Sequence, residues 1–168
     1  MKQAIIANPI EAVLDEAKHY IGVIEIPPLS NRGTEIDYWL KECKVPFSLP
    51  WCAAFTTNIL RQALGRGSPV YLNASVQRLV DWANTLKTLN VWQDKPAVGD
   101  LFVIYFPSMK RYGHIGFVNK IMDEQTFETI EGNSNSGGSR DGYGVVSNKR
   151  KVIDSIKFIR WYNALSDK

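Results

Sequence analysis

The chain has 168 residues and a mass of 19.0 kDa, the size of one ordinary domain. With 45% hydrophobic and 22% charged residues it lies in the globular range, and 20 Lys and Arg against 17 Asp and Glu leave a net charge of +3, too small to indicate a nucleic-acid binder. Two histidines, His19 and His114, and two cysteines, Cys43 and Cys52, exclude both a Cys/His zinc cluster of known spacing and a disulfide-dense scaffold.

The N-terminal stretch Met1 to Pro9 carries one lysine and an apolar run too short for a signal-peptide core. No segment approaches the roughly 18 apolar residues of a membrane-spanning helix. The expected product is therefore made in the cytoplasm without a signal peptide and has no stable membrane association. Asn8-Pro9-Ile10-Glu11 reads as a capping box opening a first helix, with Ile10, Val13, Leu14, Ala17 and Ile21 at helical spacing and Gly22 as its stop. Pro27-Pro28 and Asn31-Arg32-Gly33 mark a loop, after which Thr34 caps a short second helix carrying Ile36, Tyr38, Trp39 and Leu40. A third helix starts near Pro50, capped by Ser48 or Leu49, with Trp51, Cys52, Phe55, Ile59, Leu60 and Ala63 along it and Gly65 at its end. Asn73 is the expected cap of a fourth, which buries Val76, Leu79, Val80 and Trp82.

After Gly99-Asp100 the pattern changes from helix to strand. Leu101 to Phe106 is a continuous apolar run of strand length, followed by β-rich segments at His114–Ile121, Thr126–Glu131, Tyr143–Asn148 and Ser155–Tyr162. Helices first and strands second predict an α+β fold with an antiparallel sheet, and no linker or repeat divides the chain, so residues 1–168 are expected to form one domain.

Cys52 falls in the first turn of its helix, where free backbone N–H groups and the positive end of the helix dipole suit an anionic sulfur. His114 lies in Gly113-His114-Ile115-Gly116-Phe117, where the glycines leave room for another group to approach the imidazole. The segment Met122-Asp123-Glu124-Gln125 predicts a hairpin of two or four loop residues, and either pairs residues whose numbers sum to 247. That register sets Asn133 opposite His114 and Glu131 opposite Gly116, so that His114, Glu131 and Asn133 project from one face. Glu131 or Asn133 then orients one ring nitrogen while the other faces the thiol, which is the constellation of a cysteine hydrolase.

Four blocks carry a resemblance to a known family: Pro50-Trp51-Cys52-Ala53-Ala54-Phe55, Val98-Gly99-Asp100-Leu101-Phe102-Val103, Gly113-His114-Ile115-Gly116-Phe117-Val118 and Ile130-Glu131-Gly132-Asn133. In order and spacing they resemble CHAP domains (cysteine, histidine-dependent amidohydrolases/peptidases), part of the papain-like group that includes the NlpC-type cell-wall peptidases. The resemblance spans residues 12 to 160 and implies a papain-like fold with the cysteine helix packed on an antiparallel sheet. It implies a phage-endolysin-like peptidoglycan hydrolase, either an N-acetylmuramoyl-L-alanine amidase or a stem-peptide endopeptidase. Cys52 would be the nucleophile, His114 the general base and acid, Glu131 the third member and Asn133 a supporting polar group, with the Cys52 backbone N–H as oxyanion donor. Trp51 and Tyr105 are the aromatics expected beside the substrate cleft.

The segment Lys44 to Leu49 has no carboxylate, so the calcium loop of many phage relatives is not expected, and neither a metal nor another cofactor is called for. A monomer is expected, with peptidoglycan as its partner and no nucleic acid. Action on the wall would follow release through a membrane pore, or occur within a phage particle. Wall affinity would come from the catalytic domain itself. Lys149-Arg150-Lys151 reads as a solvated turn and Cys43 and His19 as bystanders, while Asp100 is expected to fix a turn. Two other functional classes fit the same residues less well: a non-catalytic wall-binding or virion module, and a papain-like toxin acting on another amide.

Overall fold

The computed structural model describes residues 7–139 and 141–165. Residues 1–6, which hold most of the N-terminal stretch weighed as a signal peptide, lie outside the described residues, as do Arg140 and residues 166–168. Four helices come first: α1 (Pro9–His19), α2 (Thr34–Glu42), α3 (Cys52–Leu64) and α4 (Val76–Thr85). Six strands follow: β1 (Trp92–Gln93), β2 (Leu101–Phe106), β3 (Arg111–Ile121), β4 (Thr126–Ser134), β5 (Gly144–Lys151) and β6 (Ile156–Ile159). They form one sheet in the order β1-β6-β2-β3-β4-β5 with every neighbouring pair antiparallel. The fold is thus α+β, with the cysteine helix packed against β3 and β4.

The local signals act largely as their chemistry dictates, with shifts at the caps. Asn8 caps α1 by accepting from the Glu11 N–H at 3.1 Å. Gly33, not Thr34, is the N-cap of α2, and Ser75, not Asn73, is that of α4. Asn73 instead holds the cap residue in place, its Oδ1 accepting from the Ser75 N–H at 2.7 Å. The cap of α3 is Trp51, with no side-chain bond to the helix start, so Cys52 is its first helical residue. Strand β1 escaped the pattern because two residues carry no period, and Ser155–Tyr162 divides into β6 and a 3₁₀ turn at Trp161–Ala164.

Helix α3 lies at the centre of the packing. Ten of its thirteen residues are buried, which is the environment of an internal helix rather than an amphipathic surface one. Its buried polar groups are satisfied within the helix: Thr56, Thr57 and Asn58 donate to the carbonyls of Cys52, Ala53 and Ala54 at 2.9, 3.0 and 2.8 Å. The sheet meets it with alternate residues. Leu101, Val103, Ile115, Phe117 and Ile130 join the helices in the main core, while Phe102, Val118, Phe127, Ile156 and Phe158 form a second, smaller core on the opposite face.

The β3–β4 hairpin departs from the expected register at one end and keeps it at the other. Near the turn Ile121 faces Phe127 and Lys120 faces Glu128, one residue out of the expected alignment, because the turn closes on an odd number of residues rather than on two or four. A bulge at Asn119 then absorbs the extra residue, and Val118–Thr129 and Phe117–Ile130 regain the expected pairing. The ladder ends there, so His114 and Asn133 are not ladder partners. Asn133 also has a left-handed backbone, with φ of 56°.

Gly132 lets β4 approach the first turns of α3. A Cβ there would lie 2.8 Å from both Phe55 Cγ and Trp51 Cζ3. Gly132→Ala is expected to destabilise the fold by about 1–3 kcal/mol through overpacking. Urea unfolding followed by tryptophan fluorescence checks this, and an unchanged midpoint would contradict the close approach.

Candidate active site

Glu131 is fully buried and its two oxygens accept five hydrogen bonds. Oε1 takes Thr129 Oγ1 at 2.5 Å and Arg150 Nε at 2.7 Å. Oε2 takes Arg150 Nη2 at 2.6 Å, His114 Nε2 at 2.8 Å and Ser134 Oγ at 3.1 Å. His114 itself is fully buried on β3. A Cβ at Gly116, two residues on, would come within 2.7 Å of the Phe102 ring and 3.1 Å of Glu131 Cγ. The missing side chain there makes room for the carboxylate, as the flanking glycines suggested.

The imidazole has its Nε2 committed to Glu131, while its Nδ1 is buried and makes no hydrogen bond. Burial pushes the imidazole toward neutrality, but the Cys52 thiol and the Glu131 carboxylate beside it outweigh burial and raise its pKa from 6.5 to about 9. Glu131 shows the complementary shift. Burial alone would raise it, yet His114 and Arg150 hold it down from 4.5 to about 2. The structure therefore brings together Cys52 at the start of α3, His114 on β3 and Glu131 on β4, with Nδ1 as the ring nitrogen left for the thiol. The N-terminus of α3 has no side-chain cap, so the Cys52 N–H is among the helix-start donors that no capping side chain occupies.

Asn133 is buried two residues beyond Glu131 but bonds to neither ring nitrogen of His114. Of Glu131 and Asn133, it is Glu131 that bonds the imidazole. Trp51, expected beside the cleft, is fully buried and cannot present its ring to a substrate: it stacks on Trp39, meets Phe55 edge-on and donates its indole N–H to Glu25 at 2.9 Å. Adjacency to Cys52 in sequence placed it at the site, but its ring lies in the core. Tyr105 is half-buried on β2 and packs edge-on against Tyr112. It follows a bulge in the β2–β3 pairing, on the strand next to the one carrying His114.

Lys149-Arg150-Lys151 belongs to β5 and is no turn. Arg150 is drawn inward, its guanidinium lying 5.1 Å over the Phe102 ring and donating to the Gly138 carbonyl at 3.1 Å as well as to Glu131. Sequence reasoning missed it because a charged triplet defaults to solvent. The signal was strand alternation, since Arg150 has the parity of Asn148 and faces Phe127 across the ladder. Cys43 lies apart near Thr57 and Asn58, and burial pushes its thiol pKa up. His19 is exposed, and Asp100 fixes its turn by accepting from the Ala97 N–H at 2.8 Å while pairing with Arg160. Among the described residues no group of three or more His, Cys, Asp or Glu side chains is placed to hold a metal ion.

The family model for the CHAP domain matches residues 44–133, just over half of the chain. Cys52, His114, Glu131 and Asn133 fall within the match, whereas Glu25 and Arg150 fall outside it. No curated protein matches the chain. Two similar solved structures are the crystal structure of Ly7917 and the same protein with the hydrolyzing product of MDP. Each is 14% identical with a TM-score of 0.48, and the alignment covers 89% of this chain and 61% and 62% of theirs. The chain thus spans about three fifths of the length of these neighbours.

The opposed shifts of His114 and Glu131 set the pH range of stability. Glu131, with its pKa lowered in the fold, contributes in full above about 4.5 and loses that contribution as pH falls toward about 2. His114, with its pKa raised, contributes in full below 6.5 and loses it as pH rises through about 9. Urea midpoints measured from pH 2 to pH 10 should fall on the alkaline side in the wild type and fall less in His114→Gln. Arg150→Gln strands the buried carboxylate, so it should cost about 3 kcal/mol or more and move the acid limb to higher pH. Unaltered limbs in both variants would contradict the coupling.

Proposed function

We propose that this chain, which belongs to the CHAP domain family, hydrolyses an amide bond of peptidoglycan through a covalent thioester on Cys52. The observation that carries the mechanism is the division of the His114 ring: Nε2 is bound to an ionised, buried carboxylate, and Nδ1 is left bare beside the thiol. Family membership supports the substrate class. The wall would be reached after release from the cell that makes the protein, or from a phage particle. Among the described residues no helix is long and apolar enough to cross a membrane.

In the first half-reaction the Cys52 sulfur attacks the amide carbonyl carbon while its proton resides on His114 Nδ1. Negative charge develops on the carbonyl oxygen, where the Cys52 backbone N–H at the open start of α3 stabilises it. Collapse breaks the C–N bond, and His114 Nδ1 gives its proton to the departing amine. The acyl group remains on sulfur as a thioester. Water then attacks that carbon, His114 Nδ1 takes its proton, the C–S bond breaks and a carboxylic acid leaves. Throughout, Glu131 keeps the ring in one orientation and stabilises its protonated form, and the pairing with Arg150 keeps Glu131 itself ionised.

The amide is that between the glycan and the first stem residue, as in an N-acetylmuramoyl-L-alanine amidase, or one within the stem, as in an endopeptidase. Mass spectrometry of digested sacculi separates these through the new amine and carboxyl ends. Cys52→Ala and His114→Ala should each reduce release by about 1,000-fold or more, and Glu131→Gln by about 100-fold or more. Iodoacetamide at pH 6 should label Cys52 ahead of Cys43, whose thiol burial holds protonated. Full lytic activity in Cys52→Ala would overturn the mechanism, and wall binding without released fragments would favour a non-catalytic module.

A further inference from the structure

A second carboxylate, unused in this chemistry, is buried near the start of α3. Glu25 is 1% exposed and accepts from the Trp51 indole N–H at 2.9 Å and from the Asn31 backbone N–H at 2.9 Å. Both donors are neutral. The other two buried carboxylates among the described residues each hold an arginine in a two-point pair, Glu131 with Arg150 and Asp100 with Arg160. No lysine, arginine or histidine among the described residues pairs with Glu25. A buried charge without a counter-charge is costly. Glu25 is the one of the three for which the described chain supplies none.

This carboxylate is not sealed inside the protein. It lines a cavity of about 170 Å³ together with Leu29, Pro50, Asn133 and Gly142, and Asp141 adds a second carboxylate to the wall. Pro50 stands two residues before Cys52 and Asn133 two after Glu131, so two of the segments that line the cavity are those that lead into and out of the proposed reaction centre. Leu29 is 73% exposed, and Leu49 and Tyr143, next in sequence to lining residues, are exposed as well. Two carboxyl groups, the Asn133 amide and the aliphatic Leu29 and Pro50 in one lining complement a primary ammonium on a short aliphatic stem.

We propose that this cavity is a substrate subsite that takes a peptide residue bearing a primary ammonium group, with Glu25 as its counter-charge. The proposal rests on the reading of the substrate as peptidoglycan, whose stems carry such amines on unlinked residue ends and on diamino side chains. Engaging the amine at Glu25 fixes the position of the stem relative to Cys52, because Trp51, which is bonded to Glu25, directly precedes the nucleophile. The enzyme would then favour stems whose amine is free over stems in which it is acylated by a cross-link.

The Trp51 indole N–H donates to Glu25 and so reports on the cavity directly. In ¹⁵N-labelled Cys52→Ala protein, which cannot turn over, its NMR resonance is assigned by loss in Trp51→Phe. The tripeptide L-alanyl-γ-D-glutamyl-L-lysine should shift that resonance saturably. The same tripeptide acetylated at both amines should bind about tenfold more weakly or less, the scale of a lost charge-assisted hydrogen bond. Glu25→Gln should erase the difference between the two peptides. With wild-type enzyme, acetylation of wall amines should raise KM and leave kcat nearly unchanged. Equal shifts by both peptides, or no shift by either, would overturn the subsite. A response to calcium chloride alone, with none to the tripeptide, would make the cavity a metal site and overturn it too. The comparison of free and acetylated peptide needs no change at Glu25, so it holds even if Glu25→Gln folds poorly. The binding arm is also separate from hydrolysis: failure of the wild type to cut sacculi counts against the proposed function, not against the measured binding.

Discussion

The buried carboxylate of Glu131 is the point on which the rest of the arrangement depends. An ionised group in a dry interior must be met on every lone pair, and here the donors come from β3, β4 and β5 together. That requirement draws three strands to one place and explains features that otherwise look unrelated. Gly116 is bare so that the carboxylate can pass, Arg150 turns inward over Phe102, and Ser134 bridges to the carbonyl of Ser139 in the following loop. Arg150 reaches the same loop at Gly138, so the segment after β4 is anchored by groups that also serve Glu131.

The thiol arrives from the other side of the architecture, on a helix that is buried nearly all round. A central helix cannot move without disturbing the core, which gives the sulfur a fixed position against the imidazole. Gly132 sets how near β4 comes to the first turns of that helix, and the Trp39, Trp51 and Phe55 rings fill the space behind them. Imidazole and carboxylate are tuned as a unit: each carries the charge that favours the other, and the cost of burial is offset within the group rather than by water.

Much of this was legible in the residues. Asn8 and Gly65 mark helix ends as their chemistry requires, and the helix-then-strand order gives the fold class. Period-two alternation placed His114 and Glu131 near one another, although the turn closes on an odd number of residues and it is the bulge at Asn119 that restores the alignment. Other residues were illegible for physical reasons. Arg150 and Glu25 are charged, and local sequence holds no sign that a distant partner or cavity will draw a charge inward. Trp51 adjoins Cys52, but the direction of a side chain at a helix cap depends on backbone angles that spacing does not reveal. Asn133 has the right parity, yet its left-handed backbone takes it out of the strand pattern.

The bulge at Asn119 has a consequence for how this hairpin tolerates change. Its side chain is tied across the ladder to Glu128 at 2.6 Å, and Asp123 organises the turn by accepting from the Gln125 N–H and the Thr126 hydroxyl. The bulge thus lets the tip keep one register while the end that carries His114 and Glu131 keeps another. The tip is accordingly the natural splice point for a grafted loop or a fused reporter, because the chemistry lies on the far side of the joint.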